Sequence, residues 1–142
     1  MKILTFIQSL DGKINSNSLE SFYAAQKLSE LLQAENKAVT FDVKVAEEMS
    51  QYQTNGVILI ESDEVNAYNP ICYLHAIEKK FNDYRPNLLF FGHTYETRDW
   101  VPRLSARLNL PFISDCIDFD SENELSFIRP TYQAKLNERI AL

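Results

Sequence analysis

Apolar residues open the chain in a nearly unbroken run, Ile3, Leu4, Phe6 and Ile7, relieved only by Lys2 and Thr5. A run of that length without polar alternation predicts a strand covered on both faces, at the centre of a parallel sheet. After the polar turn Asp11-Gly12-Lys13, Leu19, Phe22, Tyr23, Leu28, Leu31 and Leu32 approximate a helical stripe. Asn17 followed by Glu20 reads as a capping box for a helix over residues 18–34. The same reasoning gives a strand over 37–43, a short helix over 46–52 and a third strand over 56–61.

Asn69-Pro70 is a helix start, because Asn accepts from exposed amides and Pro suits the first turn. Ile71, Leu74, Ile77 and Phe81 then repeat at helical spacing until Arg85-Pro86 ends the element. A fourth strand is predicted over 87–92, a helix starting at Asp99 with Pro102 near its first turn and Val101, Leu104 and Leu108 inward, and a fifth strand over 111–115. Strands interleaved with helices imply a parallel sheet with helices on both faces, a Rossmann-like three-layer α/β sandwich. Residues 124–128 and 131–142 lack a helical period and are divided by Pro130, so they read as two extended segments in a short C-terminal β extension.

Length then bounds the organisation: 142 residues with 45% hydrophobic content support one core, and no repeat or Gly/Ser-rich linker divides the chain, so residues 1–142 read as a single domain. A formal net charge of −6, from 14 basic and 20 acidic residues, with no basic cluster, argues against nucleic acid. The longest apolar run, Gly56 to Ile60, falls far short of the ~20 residues a membrane helix needs, so no membrane insertion is expected. The first residues lack a secretory pattern, which places the chain in the cytoplasm. Cys72 and Cys116, widely separated, read as buried free thiols.

Candidate chemistry is sparse. Gly12, Gly56 and Gly92 do not make a phosphate-binding loop, and neither His75 nor His93 has metal-ligand spacing around it. Ser9, Ser62 and Ser114 lie in no nucleophile turn, so no catalytic constellation, cofactor site or metal site is assigned. Chemistry concentrates instead from Phe91 through Leu104, where a strand end meets a helix. His93 and Thr94 fall at the edge where α/β proteins place ligands; Asp99 reads as a cap, and Arg98 and Arg103 as groups able to reach a partner carboxylate or a phosphate. Asp115, Arg129 and Tyr132 complete this candidate interface or edge site.

Phe91-Gly92-His93-Thr94, Arg98-Asp99, Pro102-Arg103-Leu104, Ser114-Asp115-Cys116 and Arg129-Pro130-Thr131-Tyr132, with the opening strand and Ala24-Ala25, together resemble the N-terminal domain of the electron transfer flavoprotein alpha subunit. The resemblance runs along the whole chain. It departs at Thr97, where glycine commonly precedes Arg-Asp, and at Gln133-Ala134-Lys135, where a glycine-containing step is common. It implies a heterodimer with a beta subunit, carrying electrons from acyl-CoA and related dehydrogenases through FAD to a quinone reductase or another acceptor. It implies that FAD is held by a C-terminal domain absent from these residues. The chain then reads as a truncated scaffold and interface domain, an electron-transfer component and not an enzyme. Two other readings compete: a stand-alone adenine-nucleotide binder using Ser9, Ser62 and Thr94, and a small hydrolase or transferase using His93, Arg98 and Asp115.

Overall fold

The structure, a computed structural model, describes residues 1–141. It falls into two compact units, Met1–Leu104 and Ser105–Leu142.

From its start the chain runs β1 (Lys2–Phe6), β2 (Ser9–Leu10), β3 (Lys13–Ile14), α1 (Ser16–Leu32), β4 (Glu35–Thr40), α2 (Val43–Met49), β5 (Val57–Leu59), a 3-10 turn (Asp63–Val65), α3 (Pro70–Tyr84), β6 (Leu88–Phe91) and α4 (Tyr95–Leu108), the first unit ending at Leu104 within α4. Four parallel strands line up as β5-β4-β1-β6, with Ile3 opposite both Asn36 and Leu88. The order reverses between β1 and β6. Right-handed crossovers place α1 and α2 on one face and α3 and α4 on the other. Packing agrees: Ile7, Phe22, Ala38, Val45 and Met49 form one buried cluster. On the opposite face Phe6 meets Phe41, Tyr73, Phe91 and Trp100, with ring centroids 5.2 to 6.2 Å apart. Phe6 and Ile7 therefore feed different layers, as consecutive strand residues must.

Local chemistry explains the element ends. Asp11 (φ 51) and Gly12 (φ 74) form the two-residue turn of the β2–β3 hairpin, the left-handed pair that favours Asp-Gly. Helix α1 is capped two residues earlier than the sequence suggested: the Asn15 side chain accepts from the backbone amides of Asn17 (2.9 Å) and Ser18 (3.2 Å). Its buried stripe is Ser18, Phe22, Ala25, Leu28 and Ser29, leaving Tyr23 and Leu31 exposed. Asp42 caps α2 and Asn69 caps α3, the latter with Pro70 in the first turn as expected. In α3, Leu74 and Ile77 are buried and Ile71 is exposed.

Helix α4 starts at Tyr95, not Asp99, which moves Pro102 into the helix interior. Pro102 is exposed there, so the Arg98 carbonyl that loses its partner is on the solvent side. Trp100, Val101 and Leu104 face inward.

The second unit corrects the fifth strand. Residues 111–115 form no strand; Pro111 lacks an amide donor, Phe112 is exposed and Asp115 has φ 59, off the extended region. The parallel sheet therefore has four strands. Instead β7 (Asp118–Asp120), β8 (Ser126–Thr131) and β9 (Leu136–Ala141) make an antiparallel sheet in the order β7-β8-β9. Pro130 lies within β8 and divides nothing. Ile128 turns its carbonyl to the β7 side, where the Ile117 amide meets it at 2.8 Å, and Pro130, two residues on, faces the same side past the last β7 pair. Its missing amide thus deprives no ladder partner. The β8–β9 turn holds Tyr132, Gln133 and Ala134 at φ 50, 56 and 63, three consecutive left-handed residues without a glycine. The thiols are not buried: Cys72 is half-buried and Cys116 exposed.

Candidate functional site

In an open parallel sheet, ligands enter at the carboxyl ends of the strands where strand order reverses. Here that place is the crevice between β1 and β6, and it is filled. Gly92 ends β6 against the start of α1. A Cβ on residue 92 would stand 2.5 Å from the Ser18 amide nitrogen and 2.6 Å from the Asn17 carbonyl carbon, so only glycine lets the two backbones approach. Side chains then tie the strand ends together. The Ser18 hydroxyl accepts from the Gln8 backbone amide at 3.0 Å, the Asn17 side-chain amide donates to the His93 backbone carbonyl at 2.7 Å, and the Thr94 hydroxyl donates to Gln8 Oε1 at 2.6 Å.

Thr94 also caps α4. Its hydroxyl accepts from the Thr97 amide at 3.1 Å while the Thr97 hydroxyl accepts from the Thr94 amide at 3.0 Å, a reciprocal cap with Thr in the place usually held by Glu or Gln. The Thr97 hydroxyl donates onward to the Gly92 carbonyl. Thr97, which replaces the expected glycine, is thus a structural element of the closed crevice. Sequence reasoning missed this box; the signal was Thr-x-x-Thr between a strand end and an amphipathic run.

Next to it, between β1 and β4, the same edge opens into a cleft of about 400 Å³. Phe6, Phe41 and Tyr73 form an aromatic wall, the Phe41 and Tyr73 centroids 4.5 Å apart. Gln8, Ser9, Asp11, Asp42 and Lys44 supply the polar lining. Asp42 already accepts from the Lys44 and Val45 amides at 2.8 and 3.2 Å, filling the α2 N-terminus with a carboxylate. Burial, and then the charge of Glu96, push the Tyr73 phenol up to about 12.

The residues singled out from sequence separate by role. His93 is exposed and contributes its backbone carbonyl, and Arg98 is exposed; among the described residues no hydrogen bond joins the two side chains. Asp99 is in the second turn of α4 and caps nothing. It accepts from the Tyr68 hydroxyl at 2.7 Å and from Arg103 at 3.0 Å, an exposed helical pair worth a few tenths of a kcal/mol. Burial first, then the hydrogen bond to Asp99, raises the Tyr68 phenol. Glu96 is raised by burial. The Ser62 hydroxyl accepts from the Glu64 amide at 3.3 Å, capping the 3-10 turn.

Asp115, Arg129 and Tyr132 belong to the second unit. Arg129 stands opposite Glu138 in β8–β9 with its Nε buried and unpartnered among the described residues, and Tyr132 is 78% exposed at the turn. Asp120, held down by the Glu122 amide and then by Arg139 at 2.7 Å, supplies the sheet's ion pair. Among the described residues no group of three metal-ligating side chains exists, and no helix is long and apolar enough to cross a membrane.

The family model for the electron transfer flavoprotein domain matches residues 3–141. An electron transfer flavoprotein subunit alpha from Syntrophomonas wolfei subsp. wolfei is 30% identical over 134 residues, covering 92% of this chain and 41% of that protein. The corresponding Bacillus subtilis subunit is 26% identical over 141 residues, covering 98% and 43%. Protein FixB of Clostridium saccharobutylicum is 26% identical over 144 residues, again covering 98% and 43%. The chain spans about two fifths of the length of these relatives.

Proposed function

This chain belongs to the electron transfer flavoprotein domain family, and from that premise we propose that it acts as the N-terminal scaffold and interface domain of an electron transfer flavoprotein alpha subunit. In this reading it pairs with a beta subunit in the cytoplasm and supports a flavin held elsewhere in the assembly, which takes electrons from dehydrogenases and passes them to an acceptor such as a quinone reductase. Its role is to hold and position; no catalysis is assigned to it.

The observation that carries this reading is the closed crevice between β1 and β6. FAD, which the family name implies, does not fit the residues at this edge. A pyrophosphate needs free backbone amides at a glycine-rich turn or an open helix N-terminus. Here Asn15 occupies the first amides of α1, Asp42 those of α2, and α1 backbone lies against Gly92. These features support assigning the flavin to other parts of an alpha subunit. They count equally against a stand-alone nucleotide binder, and the Thr94 and Ser62 hydroxyls which that reading needs are committed to caps.

The test is association. The purified chain, mixed with an electron transfer flavoprotein beta subunit from the same organism, should elute from a sizing column as a 1:1 complex. Separate elution at concentrations of about 50 µM, well above a micromolar dissociation constant, would sink the interface reading.

A further inference from the structure

We propose that residues 61–68 act as a strap across the carboxyl edge of the sheet, latched by a single side chain, Tyr68, to Asp99 of α4, and that release of this latch removes one wall of the cleft between β1 and β4. The inference is independent of the scaffold reading, which association with the beta subunit decides.

Topology sets the path of the strap. It follows β5, at one end of the strand order, and its Tyr68 reaches α4, which follows β6 at the other end. On the way, Val65 and Asn66 line the cleft together with Phe41 and Tyr73. Val65, 3% exposed, is the one buried residue of the eight; the other seven are exposed. A segment that buries so little apolar surface belongs to the low-stability end of a fold, where local opening does not require global unfolding.

Hydrogen bonding narrows the attachment to one group. The amides of Glu64, Val65 and Asn66 donate to the Ser62 hydroxyl, the Ser62 carbonyl and the Asp63 carbonyl, which folds the 3-10 turn but ties it to no other element. Among the described residues, the hydrogen bonds that leave 61–68 all start at the Tyr68 hydroxyl, which donates to Asp99 Oδ2 at 2.7 Å and to the Glu96 carbonyl at 3.4 Å. Arg103 holds the other Asp99 oxygen at 3.0 Å and so presents the carboxylate to Tyr68. The Tyr68 ring stands edge-on to Tyr73, centroids 5.3 Å apart, which aims its hydroxyl at α4. A hydroxyl bonded to a carboxylate is among the stronger neutral-donor pairs, and its exposure to water keeps the bond reversible. Once it breaks, Val65 alone retains the strap, and its departure turns the walled cleft into an open groove along Phe41 and Tyr73.

The test is amide hydrogen exchange on the full chain, residue by residue. The Val65 and Asn66 amides are bonded inside the strap and Val65 is itself part of the cleft wall, so their exchange reports the opening; the amides of β1 and β4 report the fold. Tyr68→Phe keeps the ring against Tyr73 and removes only the latch. It should speed exchange at Val65 and Asn66 about fivefold or more while β1 and β4 keep their rates. Asp99→Ala should do the same, and the double variant should be no faster than either single one, because both changes remove one bond. Rates at Val65 and Asn66 that stay within about twofold of the parent in Tyr68→Phe, or accelerations that multiply in the double variant, overturn the proposal. An equal acceleration in β1 and β4 overturns it as well, since the bond would then secure the whole first unit. None of these results touches the scaffold reading, which stands or falls on association with the beta subunit.

Discussion

Two neighbouring crevices lie along one edge of the same sheet, and only that between β1 and β4 is open. Between β1 and β6, glycine brings two backbones into contact, and Gln8, Ser18, Thr94 and Thr97 satisfy one another's hydrogen bonds. Between β1 and β4 the wall is aromatic, and Ser9 and Asp11 stay accessible to solvent. Both sides share Gln8. The fold offers the site at the strand-order reversal to every sheet of this type, so what distinguishes this chain is the side chains that close it.

The contrast can be broken most forcefully at Gly92. Gly92→Ala puts a methyl on the α1 backbone and should cost about 3 kcal/mol, read from urea denaturation as a lower midpoint at constant slope. A loss below about 1 kcal/mol would mean that the closure is loose. Thr97→Val removes the hydroxyl from the Thr94 amide and the Gly92 carbonyl, which keep their own bond at 3.1 Å, and should cost about 1 kcal/mol, with Thr97→Ser restoring most of it. On the open side, Asp42→Ala removes only a cap of α2 and should cost about 1 kcal/mol.

The phenols sharpen the same comparison by pH. Tyr73 and Tyr84 are both pushed up to about 12, chiefly by burial. The folded chain therefore keeps protons that the unfolded chain releases near pH 10. Stability from this source is complete below pH 10 and declines toward pH 12. Tyr73→Phe should flatten the part of that decline owed to the open cleft, in denaturation midpoints measured across the window. Smallest, and remote from both crevices, Ala134→Gly should raise stability by about 0.5 kcal/mol by relieving a left-handed residue at φ 63.

What the sequence disclosed was local. The apolar opening strand, the Asp11-Gly12 turn and the Asn69-Pro70 helix start are each determined by a few adjacent residues, and each holds. The errors arise where a distant element decides. An apolar, proline-led stretch at 111–115 looks like a buried strand until one asks which strand it pairs with. Pro130 looks like a breaker until the end of β7 is known. Asp99 looks like a cap because Thr-x-x-Thr is a weaker signature than a box with Glu, which displaces the expected α4 start by four residues and hides the function of Thr94 and Thr97. No periodicity discloses that residue 92 must be glycine because a helix from residues 16 onward presses on it.

The central claim is that the closed crevice leaves this chain without a flavin site of its own. Titrating the purified chain alone with FAD, followed by desalting and an absorbance spectrum, tests it most directly. The account predicts a colourless chain with no retained flavin. A stoichiometric flavin band that survives desalting would contradict it and place the redox centre on the residues assigned here to scaffolding.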